Sequence, residues 1–584
     1  MAELTVDKKI IKKLFSEMGK QHFIIPEYQR PYNWGCDDSD EDANQCCVLW
    51  DDIKESYNES PDDSFYLGTI IVYKNKDDNL EVIDGQQRIT SLLLLLRAFY
   101  THLEAMKDGQ DVQKLKSDLE ECLWDPNKVT GKVSKEHVRI ESCVITDEHK
   151  DALKSVLEQG AADNTAEDAY SKNYLFFREQ VSQYAEKEPM GWEKLCAFII
   201  NKCLLIPVEC ANFDDGLRLF STINDRGMSL SATDIFKARL YKEKTSEKDS
   251  SHFIEQWNEM YEIVDRISKR NKKFKLETIF NYYHYLIRAE ENDVSSGTLV
   301  ELKKYYSIER LNKRHDFIMD DLVALSNFWW QLLAEKDFSK VEFTVLNDEA
   351  KKYLHCLLTL NIDWINAIIS VYYYKNFYKA NNSNTDTWVS FLKHLTAFST
   401  YSIINKEPGG SNRYVAFQAC KEIVNNGKIT NAFRLSQNNH FNDLEKKFRK
   451  NLSAKISKRE RKKSVLLLHA YLNKEQKKAP LLGIEIEHIL PQNAKKYDYT
   501  GWSRDSVNNY MERLGNLVII EKITNIKSRD NILKEKKEDY KNSDIADVLD
   551  LSRYSKNNWL KEDIDKRETE FLDRISNFVM EYLR

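Results

Sequence analysis

The stretch from Ile486 to Asn493 constrains the fold of this chain more than any other part of the sequence. It reads Ile-Glu-His-Ile-Leu-Pro-Gln-Asn, so an acid–histidine pair ends an apolar strand that a proline closes. The apolar run Leu514–Ile520 follows, and Asn525 comes nine positions after Asn516 in a basic segment. We therefore predict two strands followed by a helix, with the acid–histidine pair at the end of the first strand.

The residues of this stretch are suited to hydrolysing a phosphodiester. A carboxylate can hold a divalent cation, and an imidazole can take the proton of an attacking water. Our hypothesis makes His488 the general base and Glu487 and Asn525 the ligands of one Mg²⁺ or Mn²⁺ ion. Asn516 would fix the local backbone or the histidine ring. Because strand alternation puts Glu487 and His488 on opposite faces, the strand must break or twist near His488 for both to meet one metal ion.

Composition predicts a soluble protein of several domains. At 584 residues and 68.7 kDa the chain is too long for one core, so about two to four domains are expected. No apolar run reaches the roughly 18 residues that span a bilayer, and the N-terminus does not have the pattern of a signal peptide. The ten cysteines form no C-x-x-C pair, which argues against a zinc ribbon. We expect a cytoplasmic protein with reduced thiols and no membrane partner.

Positive charge is concentrated in one region of a chain whose net charge is −6. Between residues 441 and 480 there are 13 lysines and arginines against four acids. Such a run by itself is typical of a solvated helix face, but beside a phosphodiesterase site it favours a surface that follows phosphates. The predicted phosphate contacts, which position a nucleic acid without reading its sequence, are Lys458, Arg459, Arg461, Lys462, Lys527 and Lys534.

The periodicity of the remaining sequence indicates an α+β chain that is predominantly helical. Ser64–Tyr73 and Leu80–Ile83 predict a hairpin, and Ile89–Tyr100 predicts a helix packed on it. Helical periodicity dominates from about Asp163 to Ala479, where the many aromatic residues are expected to be core rather than base-stacking groups. Pro408–Ser411 is predicted to be a loop between two helices.

The segment Asp84–Thr90 is the strongest candidate for an anion site in the N-terminal part. It reads Asp-Gly-Gln-Gln-Arg-Ile-Thr, follows a strand, turns on Gly85 and opens a helix. Free N–H groups, the positive end of the helix dipole and a guanidinium would all favour an anion there. The alternative is an N-cap by Asp84 followed by surface polar residues. There is no P-loop motif.

Two further polar segments could belong to a ligand site. Asn224 and Arg226 lie in a glycine-containing turn before a helix, and both could reach a phosphate. Ser231 and Asp234 form a capping box, which explains them without any function. The segment Ile25–Trp34 brings ring, amide and guanidinium groups together between two prolines. Its candidate ligand-contacting residues are Tyr28, Gln29, Arg30 and Trp34.

Taken together, these motifs resemble the GmrSD-type modification-dependent (type IV) restriction endonucleases, in the form that joins both halves in one chain. The resemblance covers both ends of the chain. The helical middle is assigned to it only by its position between them. The N-terminal stretches that carry it are Ile25–Trp34, Leu49–Ile53, Asp84–Thr90 and Asn224–Lys237. The C-terminal stretches are Ile486–Gln492 and Leu514–Leu517, with Asn525 and Asn531 beyond.

The resemblance implies three regions. Residues 1–245 would form a ParB-like nucleotide-binding and sensor domain, 246–440 a helical connection, and 441–584 an H-N-H-type (ββα-metal) nuclease domain with basic lead-in helices. The nucleotide would be a nucleoside triphosphate, with GTP favoured. Its predicted binding residues are Asp84, Gly85, Gln86, Gln87, Arg88, Thr90, Asn224 and Arg226.

The resemblance also implies an anti-phage enzyme that cuts or nicks modified phage DNA. Relatives differ in what they sense, for example glucosylated hydroxymethylcytosine or backbone phosphorothioate, and no motif here selects one. A homodimer would help to make double-strand breaks, although no motif demonstrates one. Two other readings stay open: a ParB-like nucleotide switch that binds DNA without cutting it, and an H-N-H nuclease directed at RNA.

Overall fold

The computed structural model describes residues 4–19, 21–37, 44–107, 109–126, 133–144, 147–223, 232–242, 247–293, 318–333, 346–380, 385–435, 441–479, 481, 483–492, 502–528 and 531–584. Within these residues the chain divides into two compact units, Met1–Ser250 and Ser251–Arg584. The predicted nuclease region therefore lies in one unit together with the helices that precede it. No helix in the described ranges combines the length and apolar character needed to cross a membrane.

The first unit is built on a mixed seven-stranded sheet. Its strands are β1 (Leu4–Val6), β2 (Lys9–Ile10), β3 (Phe23–Ile25), β4 (Phe65–Lys74), β5 (Leu80–Asp84), β8 (Ile140–Ser142) and β9 (Cys203–Cys210), and β6 (Trp124–Pro126) pairs with β7 (Val133–Val138) outside this sheet. The strand order is β1-β9-β4-β5-β3-β8, with β2 also paired to β9. Since β3 runs parallel to both β5 and β8, the carboxyl ends of these three strands meet at one edge of the sheet.

Helices cover the sheet on both faces. One face carries a large apolar core to which the helix Gln86–Glu104 contributes a continuous buried run from Leu92 to Leu96. The helices of this unit are Ile11–Ser16, Gln45–Glu59, Gln86–Glu104, Gln110–Leu123, Lys150–Gln159, Ala169–Lys187, Trp192–Lys202, Phe213–Ile223 and Ala232–Lys242. The predicted hairpin is confirmed as the antiparallel pair β4–β5, and the predicted helix after it is confirmed with three more residues at its start.

In its described residues the second unit is mainly helical and carries a small hairpin. Its helices are Glu247–Ser268, which crosses the boundary, Leu276–Glu290, Ile318–Leu333, Asp348–Leu360, Asp363–Tyr373, the π-helical turn Tyr374–Lys379, Thr385–Asn405, Gly409–Asn426, Phe441–Leu452, Arg459–Tyr471, Arg504–Met511, Lys522–Ser528, Leu533–Tyr540, Ala546–Ser552 and Lys561–Leu583. The loop prediction at Pro408–Ser411 is wrong in extent. A helix already begins at Gly409 because Pro408, with a fixed φ, is compatible with a helix start.

The hairpin consists of β10 (Ile484–His488) and β11 (Leu517–Glu521), which pair antiparallel. The helix Lys522–Ser528, here called the motif helix, follows β11 directly and packs against both strands. The predicted order of strand, strand and helix is therefore present in the structure. Asn525 lies in the middle of the motif helix, whereas the sequence suggested its start.

Candidate nuclease centre and nucleotide site

His488 is the last residue of β10 and lies half-buried at the end of the hairpin. Its Nε2 atom is 3.2 Å from Oε1 of Glu512, and the side-chain amide of Gln492 lies 3.3 Å from the same nitrogen. A lone pair on Nε2 would be repelled by the carboxylate, so Nε2 keeps its hydrogen and donates it to Glu512. The lone pair is then on Nδ1, which is the atom that can accept a proton.

Electrostatics around His488 favour the neutral imidazole. Burial lowers the pKa of His488, and the hydrogen bond and charge of Glu512 oppose this effect only in part. Burial would raise the pKa of Glu512, but hydrogen bonds from Lys462 and His488 outweigh it and hold that pKa below its usual value. A neutral imidazole beside an ionised carboxylate is the resting state that a general base requires.

Glu487 points to the opposite side of β10 from His488. The pairing register continues unbroken through Glu487 and His488, so the twist that both would need to meet one metal ion is absent. Glu487 is only 5% exposed, and its Oε1 atom accepts hydrogen bonds from Lys536 at 2.5 Å and from the Tyr540 hydroxyl at 3.1 Å. The carboxylate that faces His488 is thus Glu512, which the motif reading missed.

The predicted metal ligands do not fit a divalent ion in this arrangement. Lys536 already neutralises Glu487, and Asn525 contributes a single amide from the motif helix. Within the described ranges, no group of three or more His, Cys, Asp or Glu side chains could hold a metal ion. The assignment of Glu487 and Asn525 as metal ligands stays a prediction, and no chemical step below is routed through a metal ion.

Asn516 holds the backbone that leaves β10. Its side chain is fully buried; Oδ1 accepts the N–H of Leu490 at 2.8 Å, and Nδ2 donates to the carbonyl of Met511 at 3.0 Å. The preceding Gly515 touches the C-terminal helix so closely that a Cβ atom would lie 2.1 Å from the carbonyl oxygen of Ile564. Only glycine allows this approach, which fixes the turn that presents Asn516.

The basic helix Arg459–Tyr471, here called the lead-in helix, is docked on the hairpin. Arg459 pairs with Glu485, Lys462 pairs with Glu512, and Lys463 donates to the carbonyl of Ile484 at 2.6 Å. Arg461 lies at a small cavity of about 110 Å³ and is half-buried. The remaining predicted phosphate contacts, Lys458, Lys527 and Lys534, are exposed.

In the first unit, Asp84 ends β5 and Gly85 turns the chain into the helix Gln86–Glu104. Gly85 has φ +94°, and a Cβ atom there would lie 2.6 Å from Cγ2 of Ile70. Burial raises the pKa of Asp84, and the charges of Arg88 and Arg30 oppose this rise. Arg88 also donates to the carbonyl of Thr69 at 2.9 Å. Asp84, Arg88 and the exposed Arg30 therefore lie together at this helix start.

The glutamines of this site hold the backbone of the segment Ile25–Trp34. Gln86 donates to the carbonyl of Arg30 at 2.9 Å, and Gln87 accepts the N–H of Asn33 at 2.9 Å and of Trp34 at 3.1 Å. Gln29 in turn donates to the carbonyl of Ile83 at 3.0 Å. All three glutamines are buried, so their amides connect the two motifs to each other.

Three other predicted ligand residues of the first unit are placed as follows. Tyr28 is buried in an apolar cluster against Phe213, and its hydroxyl donates to Glu81 at 3.1 Å. Thr90 is completely buried, and Trp34 is packed at the edge of the main core. Asn224 and Arg226 lie outside the described residues.

Comparison with known families matches both ends of the chain. Residues 11–241 match the model of the GmrSD restriction endonuclease N-terminal domain, and residues 439–574 match that of the GmrSD restriction endonuclease C-terminal domain. No curated protein matched the chain. The first match contains the Asp84–Arg88 site, and the second contains the lead-in helix and the whole hairpin with His488.

Proposed function

This chain belongs to the GmrSD restriction endonuclease family, and we propose that its nuclease centre is built around His488, with modified DNA as its substrate. The observation that carries this proposal is the orientation of His488. Nε2 of the imidazole lies 3.2 Å from Oε1 of Glu512, and donation to this carboxylate leaves the lone pair on Nδ1. Exposed lysines lie on the motif helix and near the N-terminus of the lead-in helix in the same unit.

The proposed reaction is hydrolysis of a phosphodiester. Nδ1 of His488 takes a proton from water while the water oxygen forms a bond to phosphorus. The bond between phosphorus and the leaving oxygen breaks, and that oxygen leaves with the electron pair. Glu512 stabilises the imidazolium that forms, and Asn516 holds the backbone beside it. We keep the requirement for Mg²⁺ or Mn²⁺ as a separate proposal, to be tested by removing the metal with EDTA.

In the first unit we propose a nucleoside triphosphate site at the start of the helix Gln86–Glu104, with GTP as the favoured nucleotide. Arg88, Arg30 and the N-terminal N–H groups of the helix would bind the phosphates, and Asp84 would contact water or a metal ion. The contacts of Gln86 and Gln87 support a role in shaping this site rather than in cradling phosphate. Nucleotide occupancy would regulate cutting.

Plasmid cleavage tests the nuclease proposal. Wild-type protein and His488→Ala would be compared on unmodified, glucosyl-hydroxymethylated and phosphorothioate DNA, with and without GTP, in Mg²⁺ or Mn²⁺. Loss of the general base should lower cleavage by about a hundredfold or more. His252→Ala is the matched control, since His252 is an exposed histidine of the same unit. Cleavage by His488→Ala at the wild-type rate would refute the mechanism, and an RNA substrate in the same assay tests the RNA alternative.

A further inference from the structure

The nuclease centre contains a lysine that the proposed chemistry does not use. Lys536 lies on the helix Leu533–Tyr540, and its side chain is 0% exposed. Its ammonium group donates to Oε1 of Glu487 at 2.5 Å and to the carbonyl oxygen of His488 at 2.6 Å. Tyr540, four residues later on the same helix face, donates to the same Glu487 oxygen. One helix thus contacts both residues of the acid–histidine pair.

Both polar atoms of the peptide group that follows His488 are held. Its carbonyl oxygen accepts the hydrogen bond from Lys536, and its N–H, which belongs to Ile489, donates to the carbonyl of Asn516 at 2.9 Å. A peptide group is planar, so fixing both of its polar atoms fixes the orientation of that plane. The orientation of this plane sets the backbone angle ψ of His488 and therefore influences the direction of its imidazole.

The position of Lys536 also explains why Glu487 does not fit a metal ion here. A buried ammonium group is unfavourable without a counter-charge, and Glu487 supplies that charge from the inner face of β10. Tyr540 completes the environment of the carboxylate. Glu487, the acid of the motif, therefore pairs with Lys536. The carboxylate within hydrogen-bond distance of the His488 ring is that of Glu512.

We propose that Lys536 is a positioning residue of the nuclease centre, which orients His488 by holding its carbonyl group, and that Glu487 acts as the counter-ion of this lysine. The inference rests on the proposed role of His488 as the general base. The two residues of one ion pair thus have different roles. Lys536 contacts the His488 carbonyl, whereas Glu487 holds the lysine.

Three variants and one control test this assignment. They are Lys536→Met, Glu487→Gln, the double variant, and Lys541→Met, which removes an exposed lysine at the end of the same helix. Each single variant removes one charge of the buried Lys536–Glu487 pair and leaves the other without this partner, so we expect a lower urea midpoint for both single variants. The double variant should recover most of the loss because it removes both charges. All cleavage measurements are made at urea concentrations well below the unfolding midpoint of the least stable variant.

The kcat for DNA cleavage distinguishes positioning from mere stability. We expect about tenfold lower kcat in Lys536→Met and in the double variant, with KM within about twofold, because a misdirected base slows the chemical step. Glu487→Gln should lower kcat less than Lys536→Met does, since Lys536 still reaches the His488 carbonyl. Equal kcat losses in the two single variants, or a wild-type kcat in the double variant, would overturn the proposal.

Mn²⁺ binding to the full chain, measured by calorimetry, tests the other half of the assignment. The double variant should bind Mn²⁺ with the affinity of wild type. An affinity for Mn²⁺ that is lower by about tenfold or more would contradict the proposal. It would show that Glu487 is a metal ligand and that the ion displaces Lys536 from its carboxylate.

If the wild-type protein cut no substrate, that result would count against the proposed nuclease function and not against Lys536. The position of His488 is then read from its rate of modification by diethyl pyrocarbonate, followed by mass spectrometry. Loss of the Lys536 contact should raise this rate by about threefold or more in the double variant, because the freed backbone exposes the ring. An unchanged rate would overturn the inference.

Discussion

Glu512 controls His488 although it lies outside the acid–histidine motif and 24 residues after the histidine. It sits just beyond the helix Arg504–Met511, and its second carboxylate oxygen contacts Lys462 of the lead-in helix. Two segments that are distant in sequence therefore determine the tautomer and the charge of one imidazole. A histidine held in this way through one nitrogen offers a defined lone pair on the other.

Replacing Glu512 by Gln should slow cleavage without weakening DNA binding. The amide preserves the shape of the side chain but removes the charge that stabilises the imidazolium, so we expect about tenfold lower kcat with unchanged KM. Steady-state cleavage of a defined duplex measures both parameters. Glu460→Gln serves as the control, since Glu460 is an exposed acid of the lead-in helix. A kcat within about twofold of wild type would argue against this role of Glu512.

His355, which belongs to neither candidate site, is a second histidine whose surroundings keep the imidazole neutral. It is half-buried in the second unit, and Nδ1 lies 2.8 Å from the hydroxyl of Tyr471. That hydroxyl accepts the N–H of Leu481 and so can donate its own hydrogen to a neutral imidazole. Burial, assisted by the nearby charge of Lys463, lowers the pKa of His355 to about 4. The folded state therefore keeps this histidine neutral well below the pH at which the unfolded chain protonates it.

This shift predicts acid lability of the second unit. The stabilisation that neutral His355 provides is fully present above the pKa of this histidine in the unfolded chain. It is lost as the pH falls from about 6.5 towards 4, because in this range only the unfolded state binds the proton. The loss amounts to about 3 kcal/mol. Urea unfolding of the full chain at pH 7.5, 5.5 and 4.5 measures it, and His355→Gln should flatten this part of the curve. His252→Gln should leave the pH dependence as it is, and an equal dependence in His355→Gln would contradict the prediction.

At the scale of elements, the lead-in helix has two functions on two parts of its surface. Arg459 and Lys463 bind strand β10 of the hairpin, and Lys462 binds Glu512, so all three cations already have partners within the protein. Lys458 at the N-cap of this helix and Lys527 on the motif helix remain exposed. Part of the basic run therefore packs on the hairpin, and another part stays exposed, where we predict the contacts with phosphates.

The salt dependence of DNA binding distinguishes these two groups of cations. Each phosphate contact contributes about 0.9 to the slope of log K against log salt concentration. We expect Lys458→Ala and Lys527→Ala each to reduce the slope by about that amount. Arg459→Ala should change it less, because Arg459 is paired with Glu485. Fluorescence anisotropy over a salt series gives the slopes, and identical slopes for all variants would refute the assignment.

At the scale of the whole molecule, the two compact units contain the two proposed sites separately. The Asp84–Arg88 site lies within Met1–Ser250, and the His488 centre lies within Ser251–Arg584. Both units contain many buried apolar side chains, so the chain is expected to unfold in more than one step. This separation allows nucleotide binding to be observed independently of cleavage.

Calorimetry in the presence of GTP tests that separation. A ligand that binds only the folded first unit stabilises it by about 2.7 kcal/mol at a hundred times its Kd. We expect GTP to raise the first unit's transition selectively and Arg88→Ala to abolish the shift. Arg178→Ala, elsewhere in the same unit, is the control. A single transition that moves as a whole would show that the units do not unfold separately.

The sequence by itself determined the local elements and the chemistry that they carry. Alternation and a proline defined β10, and the apolar run after Gly515 defined β11. A strand, a glycine and a polar helix start defined the turn at Gly85. These features depend on neighbouring residues, and propensity, periodicity and turn chemistry act over a few positions. The two family matches, over residues 11–241 and 439–574, contain these motifs.

Only the tertiary structure decided which side chains meet. It placed Glu512 against His488 and Lys536 against Glu487, across 24 and 49 positions of the chain. It also turned Gln29, Gln86 and Gln87 towards backbone groups. The identity of such partners depends on how helices and strands pack, because a buried charge or amide must find its counterpart wherever the fold brings one. Motif spacing contains no information about that choice.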